Sequence, residues 1–362
     1  MKILVSVFNN LGTDQRVEKV CQTLSENGYE IELLGNNWAG LPPLERNYPF
    51  SRIILKSKIL RFAYVEFQRK LYQELLKKAD KNTILLSNDL DTLLPNYLIS
   101  KKLNIPLVYD SHEIFTEMPA INGRFTQKIW RRLEQWIVPK LKYMMTASES
   151  YADWFHETYR IERPVAVQNF PRKTVNPQDY TESNSKKIIL YQGVINPSRG
   201  LDKMIPAMKF IENAEFWIAG DGPRKEEYFR LTESLGLAHK IKFLGKLPPE
   251  KLRTITPKAD VGLSIEENNG LSYFYSMPNK ISDYIQCRVP VVVSDFPEMR
   301  KVVDVFECGE KIADYSELAD KVNKVLQNGK FFYKDSLNNA ATCLCWEKEE
   351  PKILALFHKI PS

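Results

Sequence analysis

Short apolar runs alternate with amphipathic stretches along both halves of the chain. In the first half, the runs KILVSVF, YEIELLG, TILLSND, PLVYD, YMMTAS and PVAVQNF have the length and residue types of buried strands. Between them, apolar residues recur at helical spacing, as in RVEKVCQTLSENG. Thr13 or Asp14 is predicted to cap the N-terminus of this helix, and Gly28 to end it. The alternation restarts with KIILYQG and continues to VPVVVSD, the last strand that the pattern predicts. Such alternation predicts parallel sheets covered by helices on both faces.

A polar break divides this pattern into two halves. The segment PRKTVNPQDYTESNSKK, residues 171–187, is rich in Pro, Asn, Ser and charge and predicts a linker. The 362 residues also exceed what one hydrophobic core usually holds. We therefore expect an α/β protein with two doubly wound, Rossmann-like parallel-sheet domains, 1–170 and 188–340, facing across a cleft. Open parallel sheets bind ligands beyond the carboxyl ends of their strands.

Composition excludes several classes of protein. Hydrophobic residues make up 43% and charged residues 27% of the chain, which is typical of soluble globular domains. No apolar segment approaches the roughly 20 residues that span a bilayer, and the first residues lack the features of a signal peptide, so a cytoplasmic location is expected. The five cysteines lack metal-ligand spacing, which favours reduced thiols over a zinc site. A net charge of +6 is too small to indicate a nucleic-acid partner.

Two segments of the first half concentrate positive charge among apolar residues. One segment runs from Arg52 to Lys78 and the other from Arg124 to Lys142. The second segment includes Trp130 and Trp136, and Glu134 is the acidic residue among its basic ones. The simpler interpretation is two amphipathic helices that pack on a sheet with solvated basic faces. The alternative is peripheral contact with anionic lipid headgroups at the inner face of a membrane, or with a lipid-phosphate substrate.

The usual nucleotide motifs are absent. GVINPSRG lacks the spacing of a P-loop, and GDGP begins like a dinucleotide-binding motif but has Lys225 where its third glycine belongs. The sequence also lacks a recognisable Ser/His or Cys/His catalytic pair. The pattern therefore supports neither a P-loop NTPase nor a dinucleotide oxidoreductase.

Several blocks together carry a resemblance to a known family. They are, in order, NNLGTDQRVEKVCQTLSENGYEIELLG, SNDLDTLLP, VYDSHEIFTEMP, LYQGVINPSRGLDKMI, FWIAGDGP, IKFLGKLPPEKL, ADVGLSI and MPNKISDYIQCRVPVVVSD. In this order they resemble family 4 glycosyltransferases, retaining nucleotide-sugar enzymes of the group 1 type with the GT-B fold. The resemblance implies that 188–340 binds the nucleotide-sugar donor and 1–170 the acceptor. It also implies that 341–362 forms a helix crossing back to the first domain.

The resemblance implies a set of residues for the donor diphosphate and sugar. Arg199 stands at the family's phosphate-binding lysine, after the Gly193 loop, while Val194 replaces a frequent arginine, so that Lys280 or Lys203 would share the charge. The set consists of Gly193, Arg199, Met277, Pro278, Asn279 and Lys280.

Ribose and base contacts are implied for Asp283, Lys246 and Gly222. Of two family glutamates eight residues apart, Asp283 keeps the later carboxylate, which we expect in the first helical turn, whereas Tyr275 replaces the earlier one. Without the resemblance, Asp283 would be interpreted as a favourable negative charge at the start of a helix. Glu266 or Glu267 is an alternative source of the missing carboxylate.

In the first half, the resemblance implies that His112 contacts the donor sugar near the reacting carbon. Asp110 and Glu113 would orient His112 or help to bind the acceptor. Gly12, Asp14, Arg16 and Glu113 are implied on the acceptor side, although Asp14 alone is also explained as a helix cap. Retention in the family is described as front-face attack, which requires no enzymic nucleophile. No metal or cofactor is expected. The DLD triplet at 89–91 has the Asp-x-Asp spacing of a metal-binding pair but lies outside the donor half.

The sequence therefore predicts a retaining glycosyltransferase that moves a sugar from a nucleoside diphosphate to a glycan or lipid-linked acceptor, in cell-surface polysaccharide synthesis. Two alternatives remain: a nucleotide-sugar epimerase or hydrolase on the same fold, and a non-catalytic sugar-nucleotide-binding scaffold, suggested by Tyr275 and Val194.

Overall fold

The structure is a computed structural model that describes residues 1–12, 14–174 and 186–361. The chain divides into two compact units, one formed by Met1–Asn169 with Glu349–Ser362 and the other by Phe170–Lys348. Residues 175–185 of the predicted linker, and the predicted cap Thr13, lie outside the described residues.

The first unit is built on a parallel sheet. In the described residues the strand order is β3-β2-β1-β4-β5-β6-β7. The strands are β1 (Lys2–Ser6), β2 (Glu30–Asn36), β3 (Phe50–Ile53), β4 (Thr83–Asn88), β5 (Leu107–Ser111), β6 (Tyr143–Thr146) and β7 (Val165–Ala166). The helices are α1 (Gln15–Glu26), α2 (Leu60–Lys78), α3 (Leu90–Leu103), α4 (Phe125–Ile137) and α5 (Glu149–Tyr159).

Burial follows the predicted periodicity. Every residue of β4 and of β5 is buried, as expected for central strands of a sheet covered on both faces. Helix α2 buries Ala63, Phe67, Leu71 and Leu75, which lie on one face because they recur every four residues. The edge strand β3 was not predicted from the sequence. Its residues FSRI are mostly half-exposed and so do not form an apolar run.

The second unit contains another parallel sheet, in the order β10-β9-β8-β11-β12-β13 among the described residues. Its strands are β8 (Lys187–Gln192), β9 (Ala214–Ala219), β10 (Ile241–Gly245), β11 (Val261–Ser264), β12 (Val291–Ser294) and β13 (Gly309–Ile312). Its helices are α6 (Leu201–Ala207), α7 (Lys225–Ser234), α8 (Pro249–Ile255), α9 (Leu271–Phe274), α10 (Asn279–Gln286), α11 (Pro297–Phe306), α12 (Leu318–Phe332) and α13 (Lys334–Cys343). The C-terminal helix α14 (Trp346–His358) follows, and the first unit includes the chain from Glu349 onward.

The prediction that the strands end with VPVVVSD was wrong. Strand β13 pairs in parallel with β12, in the register Val291↔Gly309 to Ser294↔Ile312. Its residues GEKI are half-buried except for Ile312, because β13 lies at the edge of the sheet. A strand that buries one of four side chains leaves no apolar run for a sequence pattern to detect.

Candidate functional site

In both units the side chains singled out by the sequence lie near the carboxyl ends of parallel strands. In the second unit, β8 ends at Gln192 and the chain turns at Gly193, whose φ of 142° favours glycine. The loops after β8 and β9 pack backbone against backbone, since a Cβ on Gly220 would overlap the Gly193 carbonyl and one on Gly222 would meet that of Ile195. The glycines of GDGP therefore permit close loop packing beside the predicted phosphate loop.

Two predicted cations of the second unit meet on one carboxylate. Arg199 Nη1 lies 2.6 Å from Oε2 of Glu266, and Lys280 Nζ lies 2.6 Å from Oε1 of the same side chain. The Arg199 guanidinium lies over the Tyr273 ring, and the Lys280 ammonium over the Tyr191 ring. The structure thus brings together Arg199 from the loop before α6 and Lys280 from the first turn of α10.

The charges of this cluster depend on one another. Burial favours the neutral form of Glu266, but Lys280 and Arg199 outweigh it and lower the pKa of the carboxyl. Burial lowers the pKa of Lys280, and Glu266 offsets only part of that effect. The pKa of Arg199 is raised because Glu266 outweighs the cost of burial. Two cations and one anion leave the cluster with a net positive charge, which suits an anionic ligand.

Asp283 lies on the same helix as Lys280 and faces the end of β8. The Gln192 amide donates to Asp283 Oδ2 at 3.2 Å, and the Gln192 amide oxygen accepts from Thr256 at 2.8 Å. The expectation that Asp283 occupies the first helical turn was wrong, since α10 begins at Asn279 and Asp283 is its fifth residue. Helix-terminus electrostatics act within the first turn, so they give Asp283 little stabilisation.

The remaining donor-side residues take these positions. Pro278 is the N-cap of α10, Met277 precedes it half-buried, and Asn279 is the exposed first residue of the helix. Tyr275 is half-buried just after α9, and Lys246 is exposed just after β10.

In the first unit, His112 lies between two carboxylates. It follows β5, and its Nδ1 is 3.3 Å from Asp89 Oδ2, while its Nε2 is 3.3 Å from Asp110 Oδ2. The Nε2–H also donates to Asn88 Oδ1 at 3.1 Å, and the His112 backbone N–H donates to Asp89 Oδ1 at 2.9 Å. Both ring nitrogens face acceptors, which is the environment of a doubly protonated imidazolium.

The electrostatics agree with that geometry. Burial lowers the pKa of His112, but the carboxylates of Asp89 and Asp110 outweigh it and raise the pKa from 6.5 to about 9. Burial raises the pKa of Asp110, but Arg16 and His112 outweigh it and lower the pKa to about 2. His112 is therefore a cation at neutral pH. It can stabilise negative charge or orient a ligand, but it has no free lone pair with which to take a proton.

The predicted acceptor-side residues surround this cluster unequally. Arg16 is buried and forms two hydrogen bonds to Asp110, from Nε at 3.0 Å and Nη2 at 2.7 Å, so it fixes the carboxylate that faces His112. Asp14 caps α1 by accepting from the Val17 N–H at 3.0 Å. Gly12 is half-buried before that helix, and Glu113 is exposed beside His112.

Two residues at these sites were not assigned by sequence reasoning. Asp89 was set aside as part of DLD, yet it contacts His112 because β4 and β5 are neighbours whose carboxyl ends meet at one edge. The signal was available: Asp89 follows one buried strand as His112 follows the next. Glu266 was considered only as a replacement for the missing sugar-side carboxylate, whereas the structure pairs it with Arg199 and Lys280.

The described residues lack two kinds of feature. They contain no group of three or more His, Cys, Asp or Glu side chains placed to hold a metal ion. Among the helices that the structure describes, none combines the length and apolar content needed to cross a bilayer.

Fold and site together define the class. Two doubly wound parallel sheets, each carrying charged side chains at its carboxyl edge, are the GT-B architecture of glycosyltransferases. The family model "Glycosyltransferase Family 4" matches residues 12–169, and "Glycosyl transferases group 1" matches residues 172–341. These matches take in most of the chain, and it belongs to this family of glycosyltransferases. The sequence-based expectations of a family 4 glycosyltransferase and a GT-B fold are confirmed.

Comparisons with individual proteins agree. The chitobiosyldiphosphodolichol beta-mannosyltransferase of Candida glabrata is 21% identical over 390 residues, covering 92% of this chain and 85% of that protein. Sucrose-phosphate synthase of Thermosynechococcus elongatus superposes with a TM-score of 0.79 at 14% identity, over 99% of this chain and 98% of that one. Anabaena HepE, solved in complex with UDP-glucose, superposes with a TM-score of 0.74 at 15% identity, over 99% and 100% of the two chains. At these identities the structures establish the shared fold alone.

Proposed function

We propose that the protein transfers a sugar from a nucleoside-diphosphate sugar to a lipid-linked or glycan acceptor, with retention of anomeric configuration, in cell-surface polysaccharide synthesis. The observation that carries the donor assignment is the cluster of Arg199 and Lys280 on Glu266, at the carboxyl edge of the second sheet. The UDP-glucose complex of HepE supports a nucleotide-sugar donor. The dolichol diphosphate in the name of the Candida glabrata enzyme supports a lipid-linked acceptor.

The proposed chemistry uses charge rather than a nucleophile. As the glycosidic bond to the diphosphate breaks, negative charge grows on the leaving oxygen, and fixed cations stabilise that charge most where water is excluded. Arg199 and Lys280 supply such charge, and the N–H groups at the start of α10 face the same ligand. The leaving phosphate oxygen takes the proton of the acceptor hydroxyl, so the role of His112 is to orient the donor sugar as a cation.

Nucleotide binding tests the donor assignment. We would titrate the protein with UDP, GDP and ADP by calorimetry, without added metal, and expect one to bind preferentially. Arg199→Ala should weaken that binding by about tenfold to about a hundredfold, since a charge-assisted hydrogen bond contributes about 1.5–3 kcal/mol. Arg230→Ala is the matched control, because Arg230 is an exposed arginine of helix α7 in the same unit. Equal affinity in both variants would refute the assignment of Arg199.

Product analysis separates transfer from its alternatives. The preferred nucleotide sugar would be incubated with and without a lipid-diphosphate acceptor, and the product anomer read by NMR. We expect transfer with retention that depends on the acceptor, and a large loss of turnover in His112→Ala with nucleotide affinity nearly unchanged. Acceptor-independent release of free sugar would instead indicate a hydrolase, and an altered nucleotide sugar an epimerase. Binding without any turnover would favour a scaffold. Activity that survives EDTA would support the proposal that no metal is required.

The acceptor side of the proposal includes peripheral membrane contact at the cytoplasmic face. Helices α2 and α4 adjoin, since the Tyr64 and Trp130 rings meet edge to face at 5.7 Å between centroids. Both expose apolar side chains among basic ones. Those on α2 and α4 are Leu60, Phe62, Val65, Phe125, Ile129 and Trp136, accompanied by Arg61, Arg69, Lys128, Arg131 and Arg132. Phe125, Ile129 and the α4 basic residues also line a shallow pocket of about 280 Å³. Such a surface suits anionic headgroups above and acyl chains below.

Vesicle binding tests this surface. The protein should sediment with vesicles rich in phosphatidylglycerol but not with phosphatidylcholine vesicles, and Phe125→Ser with Ile129→Ser should reduce sedimentation several-fold. Phe331→Ser with Phe332→Ser is the matched control, since Phe331 is 76% exposed and Phe125 75%. Equal loss in both pairs would leave no special role for α4.

A further inference from the structure

Glu266 is fixed between the two cations of the second unit by its backbone as well as its side chain. Its N–H donates to the Ser294 hydroxyl at 2.8 Å, and its carbonyl accepts from Ser294 at 2.8 Å and from Tyr315 at 3.1 Å. These contacts attach the loop after β11 to the ends of β12 and β13. The backbone of Glu266 is therefore held by these contacts, independently of Arg199 and Lys280.

Because the cluster is buried, its two cations need the Glu266 carboxylate as a counter-charge. The Glu266 side chain is 1% exposed, that of Lys280 10% and that of Arg199 24%. A buried ammonium without a counter-charge loses its proton rather than stay charged, because the protein interior solvates ions poorly. The titratable and charged groups facing Lys280 are Glu266, Arg199 and Tyr191. Glu266 supplies the negative charge that favours the ammonium form, and the ring of Tyr191 adds a weaker cation–π attraction.

The pairing still leaves both cations able to bind a ligand. Glu266 accepts one hydrogen bond from Lys280 and one from Arg199. An ammonium has three N–H donors and a guanidinium five, so each keeps donors for phosphate oxygens. Phosphate oxygens can therefore bind the remaining donors of both cations while Glu266 keeps its two hydrogen bonds.

We propose that Glu266 is a positioning residue for the diphosphate site: it holds Arg199 and Lys280 in place before the donor binds and keeps Lys280 charged there. This inference rests on the proposed function, which assigns the diphosphate to Arg199 and Lys280. It gives Glu266 a role toward the leaving group, through two other side chains, rather than toward the transferred sugar.

The test compares nucleotide binding by wild type and Glu266→Gln as a function of pH. Calorimetry with the preferred diphosphate would be run between about pH 7.5 and about pH 9, where its terminal phosphate is almost completely ionised. In wild type, Glu266 favours the charged form of Lys280, so affinity should change less with pH than in Glu266→Gln. In Glu266→Gln, binding must first protonate Lys280, so affinity should fall by up to about tenfold per pH unit, with proton uptake detectable in buffers of different ionisation enthalpy. A merely structural defect would lower affinity equally at every pH.

Glu310→Gln is the matched control, because Glu310 on β13 is likewise shared by two cations, Lys321 and Lys324, neither of which belongs to the proposed site, and it should behave as wild type. The double variant Glu266→Gln with Lys280→Met should lose the pH dependence. If Glu266→Gln fails to fold, Lys280→Met alone gives the answer: it should lose affinity relative to wild type throughout this pH range. The role of Glu266 would be overturned if the nucleotide affinity of Glu266→Gln did not change with pH, or if the affinity lost in Lys280→Met were regained at higher pH. Either result would leave the donor assignment standing. Wild type that binds none of the three diphosphates would overturn both.

Discussion

The protonation state of His112 is the property of the first unit that the structure specifies most sharply. Its ring lies 3.3 Å from Asp89 and 3.3 Å from Asp110. A rise in its pKa from 6.5 to about 9 corresponds to about 3 kcal/mol in favour of the protonated ring. Because the pKa is raised on folding, this stabilisation is complete below 6.5 and is lost as the pH rises through about 9.

The perturbation that tests this value is Asp89→Asn, which removes one of the two carboxylates and keeps the shape of the side chain. An opposite charge at this distance shifts a pKa by about one to three units, so the pKa of His112 should fall by at least about one unit. The assay is NMR titration of the carbon-bound ring protons. The protein has four histidines, and His112→Gln identifies the signal by its disappearance.

Two results would refute the reasoning. One is a wild-type pKa for His112 near 6.5, which would mean that burial cancels both carboxylates. The other is an unchanged pKa in Asp89→Asn, which would mean that Asp110 alone holds the proton. The first result would restore His112 as a candidate base at neutral pH and would change the mechanism proposed above, whereas the second would leave His112 a cation and assign its raised pKa to Asp110 alone.

Three other predictions concern the stability of each unit and can be measured by urea unfolding. Asp110→Asn leaves the buried guanidinium of Arg16 without its anion and should cost about 3–5 kcal/mol, whereas a loss below about 1 kcal/mol would contradict the pairing. Gly220→Ala forces a methyl group into the Gly193 carbonyl and should destabilise the second unit and weaken nucleotide binding; a neutral result would mean that the two loops separate easily. Burial raises the pKa of Glu134 to about 7, so the free energy of unfolding of wild type should fall as the pH rises from about 4.5 through 7. Glu134→Gln should not show this fall. Near pH 8, wild type should therefore have lost about 3 kcal/mol more of its free energy of unfolding than the variant.

Glu134 also shows how charge read from a sequence differs from charge in a fold. In the sequence it opposes a basic cluster, which suggests a surface ion pair. In the structure it is fully buried and accepts hydrogen bonds from Thr116 at 2.9 Å and from Tyr159 at 2.6 Å. The basic face of α4 therefore lacks the one acidic residue that the sequence placed in it.

The sequence alone determined the parts of this protein that depend on local order. Alternating strands and helices, the central strands of both sheets and the apolar face of α2 follow from periodicity, because side chains near in sequence share a face or alternate between faces. Motif order was enough to identify the family. The edge strands β3 and β13 were missed because FSRI and GEKI contain no apolar run, whereas the edge strand β10, IKFLG, keeps enough apolar residues to leave a pattern.

Tertiary structure decided which charged side chains meet. Glu266 and Arg199 are separated by 67 residues in sequence, and His112 and Asp89 by 23, and each pair is brought together by neighbouring parallel strands. Strand order is set by crossover connections and by packing over the whole sheet, which local spacing does not encode. The protonation states then follow from those contacts and from burial, because a charge inside a protein is stabilised by what lies within a few ångströms of it.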